Sequence, residues 1–431
     1  MRIGLFTDSY HPASNGVVVS VDATRYQLEQ LGHEVFIFAP DGGVFHDRQP
    51  DDDHVIRLPA IQYDLQLSLF NPTSLLRRIR RMNLDIIQFF TPAQIGLVAT
   101  MAAHRDSTVL VGKHSTDTYE YSRNYPAMAV GYVFGGFLAP FVVHRTVANA
   151  RLFAKLYMTT RGRQTDERWT QRLVAGLMTL YYTSCDGVIA VSAKSAAQLT
   201  GFAARHGRTL NLKVIPDGVD LLAPPDPAAV SAFRQEWGIA EDDEVVVNFG
   251  RMAEEKNQVT LIRMMPMLCE QHPKAKLLLA GDYVYRGQLE WIAAHSPFHD
   301  RIVFTGRYQR DQLSAICAVS KVFAFPSLED TQGFVLNEAA GCGLPIVMCD
   351  KNLNDVFVDG VNGLMAENSP KDFADKVAMI LDDPELADRF SKAGIELARQ
   401  FSERHQTEQL VAYYTELLEA ANHENRVDRS R

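Results

Sequence analysis

Met1-Arg2-Ile3-Gly4-Leu5-Phe6-Thr7-Asp8 opens the chain with a short apolar run closed by a carboxylate. A helix pattern follows, with Val17, Val21, Thr24, Leu28 and Leu31 on one face and Gly32 where such a helix stops. The apolar run is too short for the h-region of a signal peptide and reads as a buried first strand. This unit of strand, loop and helix recurs along the chain. Residues 35–39, 85–90, 109–113 and 187–192 are further apolar runs without alternation, as parallel strands covered on both faces require. A second series begins near residue 244 with Glu244–Phe249, 276–280, 302–305, 322–326 and 345–349. Helix patterns at 258–269, 309–318 and Phe334–Gly341 alternate with these strands. The expected class is therefore α/β, with two Rossmann-like, doubly wound parallel-sheet domains.

The expected domains are 1–218 and 219–401. Pro224, Pro225 and Pro227 mark a linker in the stretch 222–229, since proline neither continues a helix nor donates to a sheet. A last helix at 402–421, with Leu410, Tyr413, Tyr414 and Leu417 on one side, is long enough to cross between domains; the polar tail 424–431 is expected to fray.

Composition narrows the class further. At 431 residues with 46% hydrophobic and 22% charged, the chain can bury full-sized cores, which excludes disorder and small disulfide scaffolds. A net charge of −9 argues against nucleic acid as the main partner. Five scattered cysteines without a C-x-x-C pair fit a reducing compartment and no zinc site, so a cytoplasmic protein is expected. Residues 126–143 carry no charge but hold Gly131, Gly135, Gly136 and Pro140, which weaken a spanning helix. Basic residues follow, from Arg145 to Arg172, and Arg77, Arg78, Arg80 and Arg81 form a second cluster on a short helix after Pro72. Apolar surface beside basic residues suits contact with an anionic leaflet; a buried helix pair followed by a solvated helix is the plainer alternative.

Four segments can carry chemistry. In Asp330-Thr331-Gln332-Gly333-Phe334-Val335-Leu336-Asn337-Glu338, a polar loop runs from a strand end into a helix start, whose amides can meet an anion or a sugar hydroxyl. Gly333 permits close approach, and the Glu338 carboxylate can accept from two vicinal hydroxyls, such as those of a ribose. A capped helix with a solvated Glu is the alternative. Gly250-Arg251-Met252-Ala253-Glu254-Glu255-Lys256 follows the first strand of the second domain, on the side where open α/β sheets bind ligands. Arg251 and Lys256 can neutralise a diphosphate, or can be surface cations paired with Glu254 and Glu255. The first loop lacks G-x-G-x-x-G, so no dinucleotide fingerprint is present; Asn15-Gly16 opens a helix that again offers amides to an anion, and Asp8 caps or holds the loop. His114 ends a strand on the active side of the first domain, and Tyr119, Tyr121 and Tyr125 can stack on a sugar or pack as core.

Taken in order, Thr7-Asp8 with Tyr10, Pro12 and Asn15-Gly16-Val17, then His114, Gly250-Arg251 with Lys256, and Asp330-Thr331-Gln332-Gly333 with Glu338 resemble glycosyltransferase family 4. The pattern is similar to its lipid-glycosylating members, the diacylglycerol glucosyltransferases and phosphatidylinositol mannosyltransferases. The resemblance implies the GT-B fold, two Rossmann-like domains facing across a cleft with the last helix returning to the first. It implies transfer of a hexose from a nucleotide-diphosphate sugar, UDP-glucose favoured over GDP-mannose, with retention of configuration and with neither cofactor nor metal. By resemblance Arg251 and Lys256 hold the diphosphate, with Gly250 beside them, and Glu338 holds the ribose. Asp330 and the Gly333, Phe334 and Val335 backbone meet the donor sugar, Asn15 and Gly16 lie against the diphosphate, and His114 lies near the sugar's outer hydroxyls. Asp8, Tyr10, Tyr119 and Tyr121 fall on the acceptor side, and the four-arginine helix on the membrane side. The implied acceptor is a lipid such as diacylglycerol at the inner face of the cell membrane; a soluble saccharide acceptor, a sugar-binding protein and a sugar-nucleotide epimerase are the alternatives. Asp330-x(7)-Glu338 departs from the family's Glu-x(7)-Glu, unless Glu329 takes the role. Base recognition falls to backbone near residues 306–309.

Overall fold

The computed structural model of the protein describes residues 1–11, 15–41, 52–58, 60–61, 67–68, 72–117, 119–120, 149, 151–152, 154, 169–353 and 356–429. Two compact units emerge: Met1–Gly218 with Glu403–Arg431, and Val219–Ser402. Tyr121, Tyr125 and the uncharged stretch 126–143 lie outside the described residues. Among the described residues no helix is long and apolar enough to cross a membrane.

The first unit is built on strands β1 (Arg2–Phe6), β2 (Glu34–Pro40), β3 (Val55–Leu58), β6 (Ile86–Phe89), β7 (Val109–His114), β8 (Gly187–Ala190) and β9 (Leu212–Val214), in the order β3-β2-β1-β6-β7-β8-β9. Every pairing in this sheet is parallel. A small antiparallel pair, β4 (Ala60–Ile61) and β5 (Leu67–Ser68), stands apart. Side chains alternate between the two faces: Ile3 and Leu5 enter the core under helix Gly16–Gln30, and Phe6 enters the core on the other side. There Phe6 stacks on Phe38 with ring centroids 4.2 Å apart.

The helix Glu403–Arg429 belongs to this unit. Its buried stripe of Leu410, Tyr413, Tyr414 and Leu417 packs with Val18, Val21 and Leu28 of the first helix. The Tyr414 hydroxyl donates to Gln88 Oε1 at 2.6 Å, which ties the helix to the centre of the sheet. The tail expected to fray is helical as far as Arg429.

The second unit holds β10 (Glu244–Phe249), β11 (Ala275–Ala280), β12 (Ile302–Gly306), β13 (Val322–Phe325), β14 (Ile346–Met348) and β15 (Gly363–Met365), ordered β12-β11-β10-β13-β14-β15. These pairings are parallel as well. Val246, Leu277 and Leu279 face one core; Val245, Val247 and Leu278 face the other. Truncating such a side chain, as in Leu277→Ala, costs about 2–5 kcal/mol.

Among the described residues five strands went unread in the sequence: β3, β9 and β15, each three or four residues long and each at a sheet edge, and the two-residue β4 and β5. The linker expectation needs a second correction. Helix Pro227–Trp237 begins on one of the prolines read as breakers, because the first helical position needs no N–H, and Asp226 caps it by accepting from Ala228 N at 3.0 Å. The chain passes between units at Gly218–Val219.

Candidate active site

In both sheets the strand order reverses beside the first strand, between β1 and β6 in one unit and between β10 and β13 in the other. Ligands of open α/β sheets bind at such reversals, outside the carboxyl ends of the strands.

In the second unit, the loop after β10 carries Gly250, Arg251 and Lys256, and the loop after β13 carries Asp330 and Gly333. The fold brings these two loops together: Lys256 Nζ and an Asp330 carboxylate oxygen form an ion pair. The residues are 74 apart in the chain. Gly250 lies against Val335, whose Cγ1 would be 3.6 Å from a Cβ placed there. Gly281, at the end of β11, has φ +144° and sits so close to the next strand end that a Cβ would fall 1.8 Å from the Gly250 carbonyl oxygen. No side chain fits at that point, which keeps the floor of the site open. Gly333, at φ +76°, begins helix Phe334–Gly341 and provides no side-chain cap, so the Phe334 and Val335 amides at the helix start meet no capping side chain. Arg251 lies 3.7 Å from Glu255 Oε1, a loose ion pair, and its backbone carbonyl accepts from Gln258 Nε2 at 2.9 Å.

Glu338 sits further along the same helix. Burial pushes its pKa up to about 7, against a smaller opposing pull from Arg310. Tyr308 stands nearby with its ring edge-on to Phe249 at 6.3 Å; burial first, and the Glu338 charge second, raise its phenol pKa. No motif marks Tyr308 in the sequence. Its one signal was its place in the loop after β12, within the segment read only as backbone.

The first unit treats its reversal differently. Asp8, in the loop after β1, reaches the loop after β6: its carboxylate accepts from Ile95 N at 2.7 Å and from the Thr91 hydroxyl at 2.9 Å. It thereby caps helix Gln94–Asp106, whose own N-cap residue, Ala93, provides no side-chain bond. Desolvation raises the Asp8 pKa to about 6 despite these bonds. Two of the amides at the Asn15-Gly16 helix start are taken up by its own cap. Asn15 Oδ1 itself accepts from Val17 N at 3.0 Å and Val18 N at 3.2 Å, and the helix begins at Gly16. Tyr10 is buried in the core beneath the Arg57 guanidinium, 5.0 Å from its ring, and Tyr119 packs on Phe202 at 5.0 Å. Of the two alternatives for the aromatic run, the described member takes the core.

His114 ends β7 fully buried, with Nδ1 3.2 Å from the Tyr182 hydroxyl and Nε2 without a hydrogen-bond partner among the described residues. Burial lowers its pKa, so the ring is neutral at pH 7. Next to it Lys113 is buried in an ion pair with Asp217, and Ser20 bonds to both. Sequence reading missed this cluster, because it joins three segments far apart in the chain. On helix Pro72–Arg81 the side chains of Leu75, Leu76 and Ile79 enter the core, and Arg77, Arg78, Arg80 and Arg81 are all exposed.

Two parallel-sheet Rossmann-like domains, with cations and an uncapped helix start at the reversal of the second, have the GT-B fold class. Residues 14–221 match the family model described as Glycosyltransferase Family 4, and residues 230–397 the one described as Glycosyl transferases group 1. The chain belongs to glycosyltransferase family 4. It is 22% identical over 433 residues to an alpha-monoglucosyldiacylglycerol synthase of Acholeplasma laidlawii, with 98% of each chain covered. A protein of the same name from Streptococcus pneumoniae is 25% identical over 376 residues, covering 85% of this chain and 75% of that one. Among solved structures, Anabaena HepE in complex with UDP superposes with a TM-score of 0.68 at 18% identity, over 96% of this chain and 100% of that one. That last likeness concerns the fold alone.

Proposed function

We propose that the chain moves a hexose, glucose in the favoured case, from a UDP-sugar to a lipid acceptor such as diacylglycerol, with retention of configuration and without a metal. The observation that carries this reading is the match, along 98% of both chains, to an enzyme named for making a monoglucosyldiacylglycerol. The four exposed arginines of helix Pro72–Arg81 support it, since a basic helix face suits an anionic bilayer surface.

In this reading the Arg251 guanidinium and the Lys256 ammonium hold the diphosphate, the first as a fork and the second as a point charge. Asp330 neutralises Lys256 until the donor arrives. The Phe334 and Val335 amides receive donor oxygens at the helix start, and Glu338 accepts from the ribose hydroxyls. As the bond from the anomeric carbon to the diphosphate breaks, the acceptor oxygen bonds that carbon on the same face. Its proton passes to the departing diphosphate. The protein's contribution is to stabilise the charge that develops on the leaving group. His114, a neutral imidazole, lies near the outer hydroxyls of the sugar.

The test is incubation with labelled UDP-glucose, UDP-galactose and GDP-mannose plus vesicles holding diacylglycerol, followed by butanol partition. Label from UDP-glucose in the organic phase is expected. Label that stays in water as a larger saccharide would replace the lipid acceptor with a soluble one.

A further inference from the structure

Tyr283 has no part in the motifs above, yet the backbone of the second unit delivers it to Arg251. Met252 N donates to Asp282 O at 3.4 Å and Tyr285 N donates to Met252 O at 3.1 Å, so the loops after β10 and β11 are joined on both sides of Tyr283. The close approach of Gly281 to Gly250 fixes the same two loops at their base. The result is an exposed aromatic ring whose centroid lies 5.3 Å from Arg251 Cζ. We infer that Tyr283 is a positioning residue: its ring carries the Arg251 guanidinium and aims it at the diphosphate of the donor.

Tyr283 and Glu255 act on Arg251 by different chemistry. A carboxylate holds a guanidinium through its in-plane N–H donors, the same donors that a diphosphate needs. An aromatic ring attracts the cation through its face and uses none of them. At 3.7 Å, Glu255 is beyond hydrogen-bond distance from the guanidinium and lends it charge. The ring therefore restricts the long Arg251 side chain before the donor arrives and lowers the ordering cost of binding.

This inference rests on the reading that Arg251 holds the diphosphate, and the experiment separates the two. The full chain is titrated with UDP and with uridine, as wild type, Tyr283→Leu, Tyr283→Phe, Arg251→Ala and the double variant Arg251→Ala/Tyr283→Leu. Tyr283→Leu is expected to weaken UDP about fivefold, the scale of one exposed cation–π contact. It should leave uridine affinity unchanged, and Tyr283→Phe should restore UDP binding. In the Arg251→Ala background the Tyr283→Leu change should have no further effect. Equal loss for UDP and uridine, or an undiminished Tyr283 effect without Arg251, would overturn the positioning role while leaving Arg251 in place. UDP affinity untouched by Arg251→Ala would overturn the diphosphate reading itself, and the inference with it.

Discussion

The two units share a strand order and differ in what they place at its reversal. In the first, both helix starts near the reversal are side-chain capped from within: Asn15 takes the amides of Val17 and Val18, and Asp8 takes that of Ile95. In the second, the corresponding helix starts on Gly333, which provides no cap, and Arg251 and Lys256 stand beside it. A helix start whose donors are already bonded, next to a carboxylate, is a poor seat for an anion. One without a side-chain cap, where two cations offset the nearby Asp330 and Glu255 carboxylates, is a better seat. The lesson is that a common topology leaves the charge pattern to decide which half receives the phosphate-bearing substrate.

Four substitutions press on this contrast. The largest effect is expected from Arg251→Ala or Lys256→Ala, each lowering the rate of sugar transfer by about a hundredfold or more, as for loss of a charge-stabilising donor. Near-normal turnover in either variant would remove it from the diphosphate. Next comes Glu338→Gln, expected to weaken UDP-glucose about tenfold, the scale of a hydrogen bond to a charged group. Because burial raises the Glu338 pKa to about 7, wild-type affinity should climb as pH rises through that value and the carboxylate forms. Glu338→Gln should show no such climb, and parallel pH profiles would refute the ribose role.

The smallest effect is expected in the first unit. Asp8→Ala should cost about 1–2 kcal/mol of stability, the scale of a lost helix cap, without changing UDP affinity. The sign of its pH dependence is fixed by the direction of its shift. The folded pKa, about 6, lies above the ordinary 3.8, so the folded state binds the proton more tightly. Wild-type stability should therefore decline relative to Asp8→Asn as pH rises from about 4 to about 6, then level off. A thermal-unfolding series with the opposite slope would contradict the buried-cap assignment.

Much of this contrast was legible in the sequence, and its limits have physical causes. Glu244–Phe249 reads as a buried parallel strand because every residue but its first is buried, and only Asn248 interrupts its apolar run. Leu212–Val214 and Gly363–Met365 do not, because short strands at sheet edges are only partly covered and carry no such run. The residues of the second reversal could be named from local motifs. Their pairing could not, since Lys256 meets Asp330 only after the sheet has formed, and it is Asp330, not Glu329, that meets it. Asp8 carries the same lesson: from the sequence it caps or holds its own loop, and only the fold reveals the helix it caps, 87 residues on. Tyr283 bears no local mark, because its role depends on two loop-to-loop hydrogen bonds rather than on its neighbours in sequence.

The most direct test of the central claim, that the second unit's reversal holds the donor diphosphate, is calorimetric titration of Lys256→Ala with UDP and with uridine. The account predicts a large loss of UDP affinity and an unchanged affinity for uridine, which has no phosphate to lose. Unchanged UDP binding, or equal losses for both ligands, would contradict it.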